Sequence, residues 1–184
     1  AFYLQGRVVA ATILGGVAPA AGADAAEGGI SKLARRFSPV VKHLRVPVNF
    51  LMVRLIRRLE PHADKAVDLF ARFMPPGDKA MFEDPALRAM LQDDLMLGSR
   101  KQVQAMVHDV VMFGKDWGFP LSKIETPVYL LYGNADNIVP VGHGKHMAAR
   151  IPNAVFRERE GEGHMGGLAA SEEIFNDLLS HWPR

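Results

Sequence analysis

With 184 residues, 48% of them hydrophobic, the chain is long enough to bury one core and short enough to expect a single domain. Its 22 Lys and Arg against 20 Asp and Glu leave a net charge of +2, too slight a bias to point to nucleic acid, and no apolar run reaches membrane-spanning length. The absence of cysteine excludes disulfides, thiolate metal sites and a cysteine nucleophile, and fits a cytoplasmic protein.

Ala1 to Gly6 reads as the last turn of a helix closed by a glycine cap, and the missing initiator methionine leads us to expect sequence upstream. Arg7 to Leu14 is an apolar run of the kind that forms a strand covered on both faces, ended by Gly15-Gly16. From Ala20 to Trp117 the periodicity turns helical. Ile30 to Leu44 predicts a helix kinked at Pro39, Val48 to Glu60 a second and Asp64 to Met74 a third. Pro75-Pro76-Gly77-Asp78 predicts a firm break. Asp84-Pro85 predicts a capped start for a helix over Ala86 to Leu97, and Ser99 a cap for another, with Val103, Val107 and Val111 inward. Phe50, Met52, Phe70, Phe73 and Met112 are expected mostly as core of this helical region, some of them lining an apolar pocket. Lys32, Arg35, Arg36, Lys42, Arg45, Arg54, Arg57 and Arg58 meet only Glu60 in the same span. A solvated surface is the ordinary reading; weak attraction to an anionic membrane surface or an acidic substrate is the sharper one. The boundaries expected are a core of residues 1–19 and 118–184 and a helical cap of residues 20–117.

The most informative stretch follows. Pro127 to Tyr132 reads as a buried strand, Val141 to Ile151 as a helix and Ala154 to Arg159 as a second strand, with turn residues between them. Strand, helix, strand over so short a span is a βαβ unit, whose strands run parallel and end at one edge of the sheet. Asp136 and His164 each fall just past such an end. Alone, Asp136 fits an Asx turn and His164 an exposed loop; together they fit a carboxylate that orients an imidazole base. His143 and His146, three apart on a helix, have no carboxylate or cysteine from a second element, so a solvated face is expected and not a metal site. Glu172 to Trp182 reads as a closing helix packed on the sheet through Ile174, Phe175, Leu178 and Leu179.

These features resemble the C-terminal part of an α/β-hydrolase. The resemblance is carried by Arg7-Val8 running into Gly15-Gly16, by the helical insertion, by Trp117 to Val128, and most specifically by Tyr132-Gly-Asn-Ala-Asp136-Asn-Ile-Val-Pro140 and Gly161-Glu-Gly-His164. It implies a partial parallel α/β fold comprising the last three strands, with an all-helical cap inserted. It also implies that Asp136 is the acid and His164 the base of a nucleophile–His–Asp triad, acting on an ester, amide or related bond without cofactor or metal.

The chain departs from the family's pattern in one respect. The nucleophile elbow Gly-x-Ser-x-Gly is absent, since none of Ser31, Ser38, Ser99, Ser122, Ser171 and Ser180 has glycines in that pattern. By the resemblance, the elbow and the oxyanion donors lie upstream of Ala1, so these residues alone are expected to be inactive. The elbow could hold aspartate instead of serine, and a non-catalytic ligand-binding member of the same fold is the alternative. The expected partner is a small molecule, of an apolar acyl type. The apolar Arg7–Leu14 strand is expected to leave an unpaired edge that favours a dimer or aggregate.

Overall fold

The computed structural model describes residues 1–26, 36, 40, 43–101 and 103–182. Three strands, β1 (Ala11–Leu14), β2 (Val128–Gly133) and β3 (Ala154–Arg159), form a parallel sheet in the order β1-β2-β3. Between β1 and β2 stand the helices α1 (Arg45–Leu59), α2 (Ala63–Arg72), α3 (Pro76–Glu83), α4 (Pro85–Lys101) and α5 (Val103–Phe113). Helix α6 (Gly142–Ala148) links β2 to β3, and α7 (Ser171–Ser180) follows β3.

The sheet is organised by β2, buried along its whole length. Side chains alternate across a strand. Val128, Leu130 and Tyr132 therefore meet Leu121, Ile124, Val139, Met147 and Ile151 on one face. Tyr129 and Leu131 meet Ala10 and Ala170 on the other, where Ile174 and Leu178 of α7 pack against them. The rest of the apolar pattern of α7 faces outward, with Phe175 and Leu179 each 63% exposed. Register runs without slip: Ala11 opposes Val128, Val128 opposes Ala154, and Gly133 opposes Arg159.

Several elements differ from the sequence-based expectations. β1 begins at Ala11 and not at Arg7, because the Arg7 and Val8 amides donate back to Leu4 O at 2.9 and 3.1 Å. Its first ladder bond runs from Ala11 N–H to Pro127 O. Its side chains are only half-buried or exposed, so it is not a strand covered on both faces. The terminal turn before it is a 3-10 turn over Phe2–Leu4, with Gly6 at φ +80°. The break expected over Pro75 to Asp78 falls earlier, at Phe73 to Pro75 between α2 and α3, and Pro76 already starts α3, since proline at the first helical position lacks only an N–H that has no intrahelical partner. Asp84 caps as predicted, its Oδ1 accepting the Ala86 and Leu87 amides at 2.8 and 3.2 Å. Helix α4 runs on past Ser99 to Lys101, so Ser99 is not a cap; Gly98 alone costs a helix only about 1 kcal/mol.

The core of the helical region also differs. Val67, Met74 and Phe82 are buried there, with Ala71, Leu91 and Ile138 packed around them. Phe50 and Phe73, expected inside, are 66% and 70% exposed, and Phe70 and Met112 are also exposed. The helix expected over residues 30–44 lies mostly outside the described residues, as do Lys32, Arg35 and Lys42; Arg54, Arg57 and Arg58 are exposed.

Candidate active site

Beyond the end of β2 the chain turns at once, and the Asp136 amide donates to Gly133 O at 3.3 Å. Asp136 Oδ1 accepts the amides of Ile138 and Val139, both at 2.8 Å, which is the Asx-type turn its neighbours suggested. The other oxygen, Oδ2, lies 2.9 Å from His164 Nδ1. The Asp136 side chain is 1% exposed and that of His164 32%. Turn-former and imidazole partner are thus one residue using two oxygens. An ionised carboxylate only accepts hydrogen bonds, so against it the Nδ1 atom is the donor, and in the neutral ring Nε2 is then the nitrogen with the lone pair. That is the tautomer a general base requires.

The two loops are fastened to each other along their length. Asn134 N–H donates to Arg159 O at 3.0 Å, Ala135 N–H to Glu162 O at 3.0 Å, and Gly161 N–H to Asn134 Oδ1 at 2.9 Å. Arg159 holds Glu162 bidentately at 2.6 and 2.8 Å and reaches Glu173 of α7 at 2.7 Å. Charge-assisted, bidentate pairs of this kind fix geometry as well as add stability. Gly133 is obligatory for the closure: a Cβ there would lie 2.1 Å from Glu162 O. At the end of β1, Gly15 has φ +51°, and a Cβ on it would stand 3.1 Å from His164 Nδ1 and 3.4 Å from Asp136 Oδ2. All three strands therefore deliver a residue to the pair.

His143 and His146 do not form the solvated face expected of them. His143 is 2% exposed, and its Nδ1 accepts the Ala18 amide at 3.1 Å. His146 Nε2 lies 2.8 Å from Asp24 O, and Asp24 Oδ2 accepts the Leu121 amide at 2.7 Å. Both histidines anchor the segment leaving β1 to α6. Burial first, and then the charge of His146, push the His143 pKa down, against a smaller opposing pull from Asp136. Tyr132 donates its hydroxyl to Gly16 O at 2.6 Å, and burial pushes its pKa up. Among the described residues no group of three or more His, Asp or Glu side chains is placed to hold a metal ion. No described helix is long and apolar enough to cross a membrane.

One carboxylate escaped the sequence reading. Asp78, in the first turn of α3, is fully buried, and its oxygens accept the amides of Gly163 and Met165 at 3.0 and 3.2 Å. The partners are 85 and 87 residues away, beyond any local pattern. Only the burial of so polar a turn could have signalled it, and burial is not written locally.

The chain matches no protein-family model. Rhodomycin D methylesterase DnrP of Streptomyces peucetius is 36% identical over 64 residues, which are 35% of this chain and 22% of that protein. Rhodomycin D methylesterase DauP of Streptomyces sp. (strain C5) shows the same identity and coverage. The match thus spans about a fifth of the length of these curated relatives. Among solved structures, the esterase RhEst1 from Rhodococcus sp. ECU1013 superposes with a TM-score of 0.55 at 19% identity, over 98% of this chain and 60% of the esterase. An alpha/beta hydrolase fold protein from Nakamurella multipartita gives 0.54 at 14% identity, over 98% of this chain and 63% of that one. Parallel sheet, βαβ crossover and inserted helices, superposed over nearly the whole chain, give this protein the α/β-hydrolase fold, of which it comprises a three-stranded part.

Proposed function

We propose that Asp136 and His164 are the acid and base of an esterase-type hydrolase whose nucleophile comes from polypeptide outside these 184 residues. The observation that carries the reading is the 2.9 Å bond between His164 Nδ1 and a buried Asp136 carboxylate oxygen, which leaves Nε2 as the ring nitrogen not engaged by Asp136. In that role His164 Nε2 takes the nucleophile's proton and returns it to the leaving group, while Asp136 holds the ring and stabilises the imidazolium. The methylesterase names of the two curated relatives favour a carboxylic ester of a small molecule as substrate. Residues 20–117 act as a cap, a reading supported by the contact of α3 with the His164 loop.

The test is ester turnover. With an activated ester the 184-residue chain is expected to give no rate above that of free imidazole, because nucleophile and oxyanion donors are lacking. The chain extended by its upstream coding sequence is expected to turn over, and Asp136→Asn in it to lower kcat about 10,000-fold through the wrong tautomer. An extended enzyme that keeps its rate with His164→Ala sinks the base assignment. An extended chain that binds esters without hydrolysing them returns the non-catalytic reading.

A further inference from the structure

The pair is braced from a third side, by the corner between α2 and α3. Phe73 O accepts from Asn137 Nδ2 at 3.1 Å, so the corner holds the residue next to Asp136. Ile138, one of the two amides on Asp136 Oδ1, packs into the cluster of Val67, Met74 and Phe82. At the other end of the corner, Asp78 accepts the amides on either side of His164, with one carboxylate oxygen for each. The approach is close enough to demand glycine on both surfaces. A Cβ on Gly163 would lie 2.3 Å from Asp78 Oδ2, and one on Gly77 would lie 2.9 Å from Gly161 O.

We propose that Asp78 is a positioning residue for His164, fixing the backbone on both sides of the imidazole so that Nδ1 stays aimed at Asp136. Two amides pinned by one rigid carboxylate, at the residues before and after the histidine, remove the backbone freedom through which the ring could swing away. Three features suit a carboxylate to this position. It accepts with both oxygens, where an amide side chain offers only one acceptor atom. It sits at the N-terminal end of α3, where the helix dipole favours negative charge. It is also buried, so water does not compete for the two amides. The helical region is therefore tied to the chemistry itself, and a change in the corner is felt at the imidazole without any contact to it.

This inference rests on the acid–base reading of the pair, but its readout is the hydrogen bond and not turnover. In the chain with 15N-labelled histidine, the Nδ1 proton of His164 is expected as a low-field resonance that vanishes in Asp136→Asn. Asp78→Asn is expected to lose or broaden the same resonance. Amide exchange at Gly163 and Met165 should speed up roughly 10–100-fold, as for loss of a bond to a charged acceptor, with the β2 amides unaffected. Gly163→Ala, which drives the loop off Asp78 without touching the carboxylate, is expected to lose the resonance too. A low-field resonance that survives both substitutions overturns the positioning role and leaves the pair intact. Loss accompanied by faster exchange throughout β2 reduces Asp78 to a general stabilising contact and equally overturns it. A wild-type chain with no such resonance removes the Asp136–His164 bond, and both readings with it.

Discussion

Strand β2 and helix α1 are both apolar runs, yet they end in opposite environments. Every residue of β2 is buried, whereas in α1 Val46 is 81% exposed and Phe50 and Leu51 are each 66% exposed among the described residues. The difference lies in the partners. β2 has a strand on each side and a core on each face, so none of its surfaces is left to solvent. An apolar residue is stabilising only where something covers it, and the run itself does not say what does.

The widest test of that contrast pairs Leu130→Ala in β2 with Leu51→Ala in α1. Leu130 is fully buried, and truncation there is expected to cost about 2–5 kcal/mol, the range for a core leucine. The same change at exposed Leu51 is expected to stay within about 0.5 kcal/mol. Chemical denaturation measures both; equal losses would show that α1 is covered in solution after all.

Adding bulk sharpens the comparison from the other side. A Cβ on Gly144 of α6 would meet Tyr132 and Phe156 at 2.5 and 2.7 Å, so Gly144→Ala is expected to cost about 1–3 kcal/mol by overpacking. Gly142, on the same helix, has open space at that position, and Gly142→Ala is expected to be tolerated. If the two variants melt together, the α6–sheet contact is looser than described. Smaller again is the cap of α4: Asp84→Ala removes the acceptor of two amides and is expected to cost about 1 kcal/mol in the same assay.

The subtlest test is one of pH. The folded-state pKa of His143 is lowered, so below its unfolded value of about 6.5 the unfolded chain binds the proton first. Stability from the neutral ring is therefore present above that pH and is lost as pH falls toward the folded value. Protonation would also place a donor against the Ala18 amide, which is itself a donor. The unfolding midpoint should fall more steeply below about pH 6.5 in the wild type than in His143→Gln. Parallel pH profiles would mean that the ring is reachable by solvent.

What the sequence discloses follows the same division. The βαβ unit is local: two apolar runs, a turn at each end and a short helix between them, and the structure reproduces it to within a few residues. Asp136 and His164 could be paired on paper because parallel strands must end at one edge. Non-local features stayed hidden. The start of β1 depends on where Pro127 O lies, the burial of His143 on Ala18, and the role of Asp78 on a loop far along the chain. Proline misled for a related reason, since a Pro-Pro pair suggests a break, yet the second proline suits the first position of a new helix.

The register between β2 and β3 has a consequence for insertions and deletions. Gly133 and Arg159 stand opposite each other, with Asp136 three residues beyond the first and His164 five beyond the second. The longer overhang is folded back by Gly161 at φ +73°, bringing two unequal lengths of chain to one meeting point. Loop length is thus a more stringent constraint here than loop composition. An exposed position such as Glu160 could change identity and leave the meeting point where it is. Adding or removing a single residue in either overhang would shift one partner by up to about 3.5 Å, more than a hydrogen bond can span.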